Sequence, residues 1–583
     1  MGRARDQAAE GADASRSTPG VTWVQPFAVH RARVLALGRR TRQVIGFAAL
    51  TGLLTGLGVA GFEEVTRTQV FDRVAALPTW AVIAMPAVGL LLSAALLRWV
   101  AGGVGPSTAD EYIRNFHDPS RRLDLRPVPG RLAASAATLG FGGAMGYEGP
   151  SIYLGAAVGS FLQRRFARFF SREESKVLLV AGAAAGVAAI FKAPVTGLVF
   201  ALEVPYQDDL ARRMILPAGI ASATAYVTFV SFMGTAPLFS VAGSPPFDLR
   251  DLGGAALLGV LSGVGARAWV RALLWAKHLG VNMDPFVRAL AGGVVLLALG
   301  ALSWWLLGEP LTVGAGYDTL SWSVDAQRAI GLVIALLLLR ALATIATVAA
   351  GGVGGLFIPL VVEGALLGRV VGGLVDTPAG ATNSFFPLVG VAAFLGAGYR
   401  VPLAGVVFAA EATGRPGFIV PGMVAAMVAQ LFMGSTSAST YQQPGRRGHL
   451  ETRLDLPIAA ALRTDVATVP PEATLQEFFE HHLLGNRERS VPVVDGNRFL
   501  GLMGLDQLQD LPHEVWETEL VGGHLTGDVE ALGPGATLND AIALLSERDV
   551  DVVAVVDDEQ FVGVVTMAEI VKLEEILDRT GGG

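Results

Sequence analysis

Apolar residues run in long blocks along most of this chain, at 43–62, 80–101, 177–202, 214–233, 252–276, 287–307, 329–350 and 385–434. Some reach the roughly 20 residues that a helix needs to cross a bilayer. Others are shorter, or are interrupted by glycine and proline. Broken apolar segments persist at membrane depth where their open backbone lines a cavity. The pattern therefore predicts an all-α membrane bundle over 43–434. Residues 1–42 are polar and carry Arg3, Arg5, Arg16, Arg31, Arg33, Arg39, Arg40 and Arg42. Arginine crowded before the first apolar run predicts a cytoplasmic N-terminal segment, disordered over roughly its first 15 residues. It has no early apolar run and does not read as a secretory leader.

After Gly434 the pattern turns polar, and 435–461 is predicted to be a linker leaving the membrane on the cytoplasmic side beside Arg446 and Arg447. Residues 462–580 then read as two soluble α/β repeats, about 462–512 and 525–580. Each has a T-L-x-x helix start, at Thr474 and Thr537, followed by a buried strand and a hairpin, SVPVVDGNRFLGLMG and DVVAVVDDEQFVGVVT.

Two pairs of apolar segments echo one another. GYEGPSIYLGAAVG (146–159) matches GLFIPLVVEGALLG (355–368) at Pro150/Pro359, Gly155/Gly364 and Gly159/Gly368. KAPVTGLVFALE (192–203) matches RVPLAGVVFAAE (400–411) at Pro194/Pro402, Gly197/Gly405, Phe200/Phe408 and Glu203/Glu411. Two blocks in the same order at nearly one spacing imply an internally duplicated transport fold, with its site where the halves meet. Either parallel or inverted repeats satisfy the match.

Within the first block Glu148 stands between Gly146 and Gly149-Pro150. An acid inside a membrane costs a few kcal/mol and is a functional candidate by default. The flanking glycines admit a close backbone approach, Pro150 suits a helix start, and the positive end of that helix faces Glu148.

Composition agrees with this division. Of 583 residues 52 % are hydrophobic and 16 % charged, against about 25 % charged in soluble domains. Residues 451–583 hold 8 Lys+Arg and 26 Asp+Glu, whereas the first 450 hold 36 and 25. So acidic a tail excludes nucleic acid as a partner. There is no cysteine, hence no disulfide or thiolate site, and the eight histidines form no HExxH group. The absence of HExxH, GxSxG and P-loop patterns argues against an enzyme. A divalent-cation transporter would need a ring of acids that the membrane part does not offer.

From residue 43 to 580 the chain resembles the CLC family of chloride channels and proton-coupled chloride antiporters, followed by a pair of CBS domains. GYEGP (146–150) resembles the family's G-(K/R)-E-G-P, and GLFIP (355–359) resembles G-x-F-x-P. The resemblance implies chloride as the transported anion, a homodimer in the lipid bilayer of the cell membrane, and both termini in the cytoplasm. It makes Glu148 the gate and places Gly146, Gly149, Gly355, Phe357 and Ile358 around the anion. It requires no cofactor.

Several positions depart from the pattern. The family's G-S-G-I-P corresponds to Gly103-Val104-Gly105-Pro106-Ser107, so Val104 replaces the hydroxyl that the resemblance places on the anion; Ser107–Asp110 reads equally as a helix capping box. Tyr441 is the best match to an inner tyrosine, or is a surface tyrosine. Glu203 matches a family glutamate, or is a buried helix-end carboxylate paired with backbone or with Arg212/Arg213. Val204 stands where proton-coupled members carry a second acid. The CBS pair resembles adenine-nucleotide sensors, with Thr566 and Glu569 offered in its second repeat; a structural or dimer-stabilising role is the other reading. His481 and His482 read as solvated. Together these features put a voltage- or pH-gated chloride channel first, with a proton/chloride antiporter using a substitute inner proton route as the alternative.

Overall fold

The computed structural model describes residues 24–118, 122–170, 176–236, 249–323, 328–375, 385–444, 454, 456–485, 490–509, 511–525, 531–547 and 550–580. The predicted disorder at the start of the chain lies outside them. Two compact units divide at residue 445.

The first unit is helical. Its first half contains α1 (Val24–Glu63), α2 (Asp72–Ala75), α3 (Thr79–Trp99), α4 (Ala109–His117), α5 (Val128–Gly140), α6 (Glu148–Arg165), α7 (Val177–Phe191), α8 (Pro194–Glu203) and α9 (Ile215–Met233). Its second half contains α10 (Leu249–His278), α11 (Pro285–Leu307), α12 (Tyr317–Ser323), α13 (Ile330–Ala349), α14 (Phe357–Val375), α15 (Phe385–Tyr399), α16 (Pro402–Thr413) and α17 (Ile419–Met433). Among the described residues eight helices are long and apolar enough to cross a membrane. The apolar blocks 177–202 and 385–434 are not single spans: they break into α7–α8 and α15–α17.

The breaks have one cause. Lys192 and Arg400 end α7 and α15 in the left-handed conformation, at φ 53° and 55°, and the next residue but one is a proline that starts the following helix. Both side chains then cap helix ends. Lys192 Nζ donates to the Met233 carbonyl (3.1 Å), and Arg400 donates to the Gly434 carbonyl.

The halves pack alike: α6 on α7 as α14 on α15, α1 on α9 as α10 on α17, and α7 on α8 as α15 on α16. Glycines set the first of these approaches. A Cβ on Gly155 would collide with the Gly182 carbonyl, and one on Gly364 with that of Gly390.

Two boundaries differ from the sequence expectation. The arginine-rich stretch from Val24 is helical and continuous with the first membrane helix. Nor does the chain leave the bundle at Gly434: Ser437, Ser439 and Gln442 are buried, and Gln442 Nε2 donates to the carbonyls of Val204, Tyr206 and Tyr399 (2.7–3.1 Å). Carbonyls freed where helices stop need donors, and a polar segment supplies them here.

The second unit has a four-stranded sheet in the order β1–β2–β4–β3, from β1 (Ser490–Asp495), β2 (Arg498–Gly504), β3 (Val552–Asp557) and β4 (Gln560–Thr566). Each hairpin carries one bulge, after Val493 and after Val555. Both T-L-x-x starts are helix caps: Thr474 and Glu477 form a reciprocal box, and the Thr537 N–H and hydroxyl donate to Asp540 (2.8 Å each). The segment just before residue 462 packs on the second repeat, with Ile458 and Ala461 against Leu538, Val553 and Val565.

Candidate functional site

Glu148 opens α6 with Gly149 and Pro150 in its first turn, and it is 1 % exposed. The Phe357 N–H, at the start of α14, donates to Glu148 Oε1 at 2.6 Å. The N–H groups of Ile358 and of Glu148 itself also face the carboxylate. Oε2 has no hydrogen-bond partner. Two helix N-termini thus converge on one negative group, the electrostatics that favour a bound anion.

The glycines around it serve space. Gly146 and Gly355 exchange N–H···O bonds (2.9 and 2.8 Å), and a Cβ on either would strike the Glu148 carboxylate. A Cβ on Gly149 would meet the Gly354 carbonyl and the Thr108 hydroxyl, each at 2.7 Å. Because Gly146 and Gly355 are repeat equivalents, their mutual pairing puts a local two-fold beside Glu148. Phe191, Phe200 and Phe408 pack on the Phe357 ring with centroids 4.5–5.4 Å away.

Beyond Gly355 opens a vestibule of about 620 Å³, whose wall includes Gly103, Ser107, Thr108, Leu356, Tyr399 and Tyr441. Val104 and Gly105 lie along the same wall. Gly103 does not offer its N–H to the vestibule; it donates to Leu97 (2.9 Å). The capping box at Ser107–Asp110 is not formed. Thr108 is the N-cap residue and makes no side-chain cap, while Asp110 pairs with Lys277 at 3.0 Å. That leaves the Ser107 hydroxyl buried without a partner. The hydroxyl missing at Val104 is present three residues later.

Tyr441 is 41 % exposed with Arg114 over its ring (5.3 Å), at the rim. Deeper in the vestibule wall is Tyr399, 5 % exposed, whose hydroxyl faces the Leu356 N–H at the head of α14. Sequence reading passed over Tyr399, Thr108 and Lys277. The one signal for Tyr399 was a polar hydroxyl directly before the Arg400 break.

Glu203 accepts from the N–H groups of Leu403 (3.1 Å) and Ala404 (2.8 Å), the first turn of α16. Its weighed partner Arg212 reaches Asp209 instead. Val204 is 1 % exposed, and its carbonyl is taken by Gln442.

In the second unit Thr566 Oγ1 accepts from the Glu569 N–H (3.3 Å), a helix cap, and Glu569 pairs with Lys572 (3.7 Å). At the matching place in the first repeat the Gly504 N–H donates to Gln507 Oε1 (2.9 Å). His481 is exposed; His482 is half-buried against Phe478, and burial together with His481 lowers its pKa. Among the described residues no His/Cys/Asp/Glu group could hold a metal.

Residues 88–434 match the voltage gated chloride channel family, and 458–510 and 521–575 each match the CBS domain. The H(+)/Cl(-) exchange transporter ClcA of Citrobacter koseri is 28 % identical over 435 residues, covering 69 % of this chain and 88 % of that protein. A slow cyanobacterial Cl⁻/H⁺ antiporter shares the fold at a TM-score of 0.58 and 22 % identity, over 67 % of this chain and 94 % of its own. A eukaryotic CLC transporter covers 91 % of this chain and 98 % of its own, at a TM-score of 0.56 and 18 % identity.

Proposed function

This chain belongs to the voltage gated chloride channel family and carries a CBS pair, and we propose that it exchanges chloride for protons, with Glu148 as gate and proton carrier. One observation carries the reading: the Glu148 carboxylate rests on the Phe357 N–H where two helix N-termini meet. An ionised carboxylate competes with chloride for that cradle; once protonated it loses the competition and swings away, giving up its place to the anion. Proton and anion occupancy are linked through a single site.

Sequence reading put the channel first because Val204 removes an inner acid. The similarity to exchange transporters favours coupling. The vestibule offers a substitute route: it is roomy enough for water and reaches Gly355 and Leu356, next to the Phe357 whose N–H donates to Glu148. Uncoupled conduction is the second reading, favoured by the buried, apolar Val204.

The protein works as a homodimer of the cell membrane, one pore per subunit, with both termini cytoplasmic. The acidic CBS pair serves assembly or regulation. The deciding experiment is the reversal potential of reconstituted protein under crossed chloride and pH gradients. A potential set by both gradients supports exchange; one that follows chloride alone supports the channel.

A further inference from the structure

Arg288, at the start of α11, lines the vestibule together with Gly351, Gly352, Gly354, Gly355 and Leu356. Two glycines make its place. A Cβ on Gly351 would collide with its guanidinium, and one on Gly280 would lie 3.0 Å from its Cδ. The guanidinium therefore occupies the space that a side chain at 351 would take. From there the chain follows the vestibule wall through Gly355 and Leu356 to Phe357, whose N–H donates to Glu148.

Most charge in this wall is paired. Lys277 Nζ donates to Asp110 (3.0 Å) and to the Ala438 carbonyl (3.1 Å). Arg98 reaches Asp284 (3.3 Å) and lies over the Phe286 ring, 5.9 Å from its centroid. Asp284 stands one turn before Arg288, but its other oxygen accepts from the Phe286 and Val287 N–H groups (2.9 and 3.4 Å). Asp110 is the only acid among the described lining residues. Arg288 differs from the other two cations. Its Nε is buried without a hydrogen-bond partner, and among the described residues no carboxylate pairs with it. With Asp110 matched by Lys277 and Asp284 by Arg98, Arg288 leaves the wall one positive charge in excess. His278, exposed at the end of α10, brings no negative charge to offset it.

We propose that Arg288 is a staging site for small monovalent anions, holding one in the vestibule before it reaches the N-terminus of α14. A guanidinium offers five N–H donors and no acceptor, and it keeps its charge at every working pH. One unpaired charge suits a monovalent anion and leaves a divalent one half-matched. In a cleft with low-dielectric walls such a charge raises the local anion concentration and entry rate by 10-fold or more. Staging itself is then independent of pH, which leaves the pH dependence to Glu148. The proposal rests on the anion path of the proposed exchange running through the vestibule.

The test uses full-length protein in planar bilayers, with chloride titrated on each side in turn. Arg288→Gln should raise half-saturating chloride about 5- to 10-fold on one side only, and Arg288→Lys should recover most of that loss. The chain has no cysteine, so Arg288→Cys provides a single thiol whose charge can be set by modification. A cationic methanethiosulfonate on that thiol should restore affinity from the same side, and an anionic one should weaken it further. A side chain that only supports the fold would not follow the sign of the reagent. No shift in Arg288→Gln, an equal shift on both sides, the same response to both reagents, or a thiol that neither reagent reaches would overturn the proposal. Glu148→Ala separates the two readings. If it alters flux while Arg288→Gln moves neither side, the gate stands and the staging site falls. If it leaves flux and its pH dependence untouched while Arg288→Gln shifts one side, the staging site stands and the gate falls.

Discussion

Glu203 and Glu411 close each other's helices. Glu203, at the end of α8, accepts from the first N–H groups of α16; Glu411, in α16, accepts from Val195 (3.0 Å) and Thr196 (2.7 Å), the first N–H groups of α8. The two acids are repeat equivalents, and each satisfies donors that a helix start leaves open. This reciprocity gives the duplicated fold a polar clasp, and it accounts for a carboxylate at Glu203 without any part in proton movement.

Replacing Glu203 by alanine should therefore cost about 1–3 kcal/mol of stability, the penalty for the buried Ala404 N–H left unmet. Glu411→Ala should lower the melting temperature of the detergent-solubilised protein by less, because Val195 at its end of the clasp is half exposed. A Glu203→Ala variant that melts normally but transports protons poorly would assign Glu203 to the proton route instead.

Glu148→Gln should remove the pH dependence of chloride flux while flux itself continues, because a neutral amide cannot vacate or reclaim the cradle with pH. The measurement is chloride efflux from liposomes between about pH 4 and 8, spanning the usual carboxylate range and above. Unchanged pH dependence would place the gate on another group.

Repeat matching aligned Glu203 with Glu411 and Gly146 with Gly355, because glycine, proline and glutamate at fixed offsets are rare enough to align; that each pair meets in space comes from the fold. Other parts of the site left no such trace. Tyr399 sits in an apolar run whose period says nothing of its hydroxyl, and it meets Leu356 only through tertiary packing. Ser107 looked like half of a capping box; the bond from Lys277, 167 residues away, takes Asp110 out of that role. Gln442 resembled exit-linker composition, and its three carbonyl partners come from breaks elsewhere in the chain.

The vestibule gives Tyr399 and Tyr441 different weights. Tyr399→Phe should change anion preference, measured as the chloride-to-nitrate permeability ratio, since it removes a hydroxyl beside the α14 N-terminus. Tyr441→Phe should leave that ratio within about 2-fold, as befits an exposed rim residue. The reverse ranking would return the inner-tyrosine role to Tyr441.

In the second unit Asp540 accepts from the Thr537 N–H and hydroxyl, and these bonds lower its pKa below the ordinary 3.8. A carboxylate whose pKa falls on folding adds stability that is complete above its unfolded value and is lost as pH drops through the folded one. Protection of the Leu538–Glu547 amides in the full-length protein, taken relative to the intrinsic exchange rate at each pH, should therefore fall below about pH 4. In Asp540→Asn, exchange should already be faster at neutral pH and should lose that acid step. An unchanged acid step in the variant would assign it to another carboxylate.

Coupling is the most demanding test of the proposed exchange, because Val204 cannot hold a proton and Glu203 is spoken for by Leu403 and Ala404. A proton from the vestibule must reach Glu148 through water, with no intermediate acid. Water chains conduct protons without fixing a ratio as tightly as a titratable station does, so the reversal potential should respond to pH but indicate fewer protons per chloride than a relay with an inner acid. Val204→Glu should bring the response closer to a fixed ratio, provided the new carboxylate meets the vestibule water. Glu148→Ala should abolish proton movement and leave chloride flux, since the only carrier common to both ions is gone. Wild-type protein whose reversal potential ignores pH entirely would reject exchange and return the chain to the channel reading.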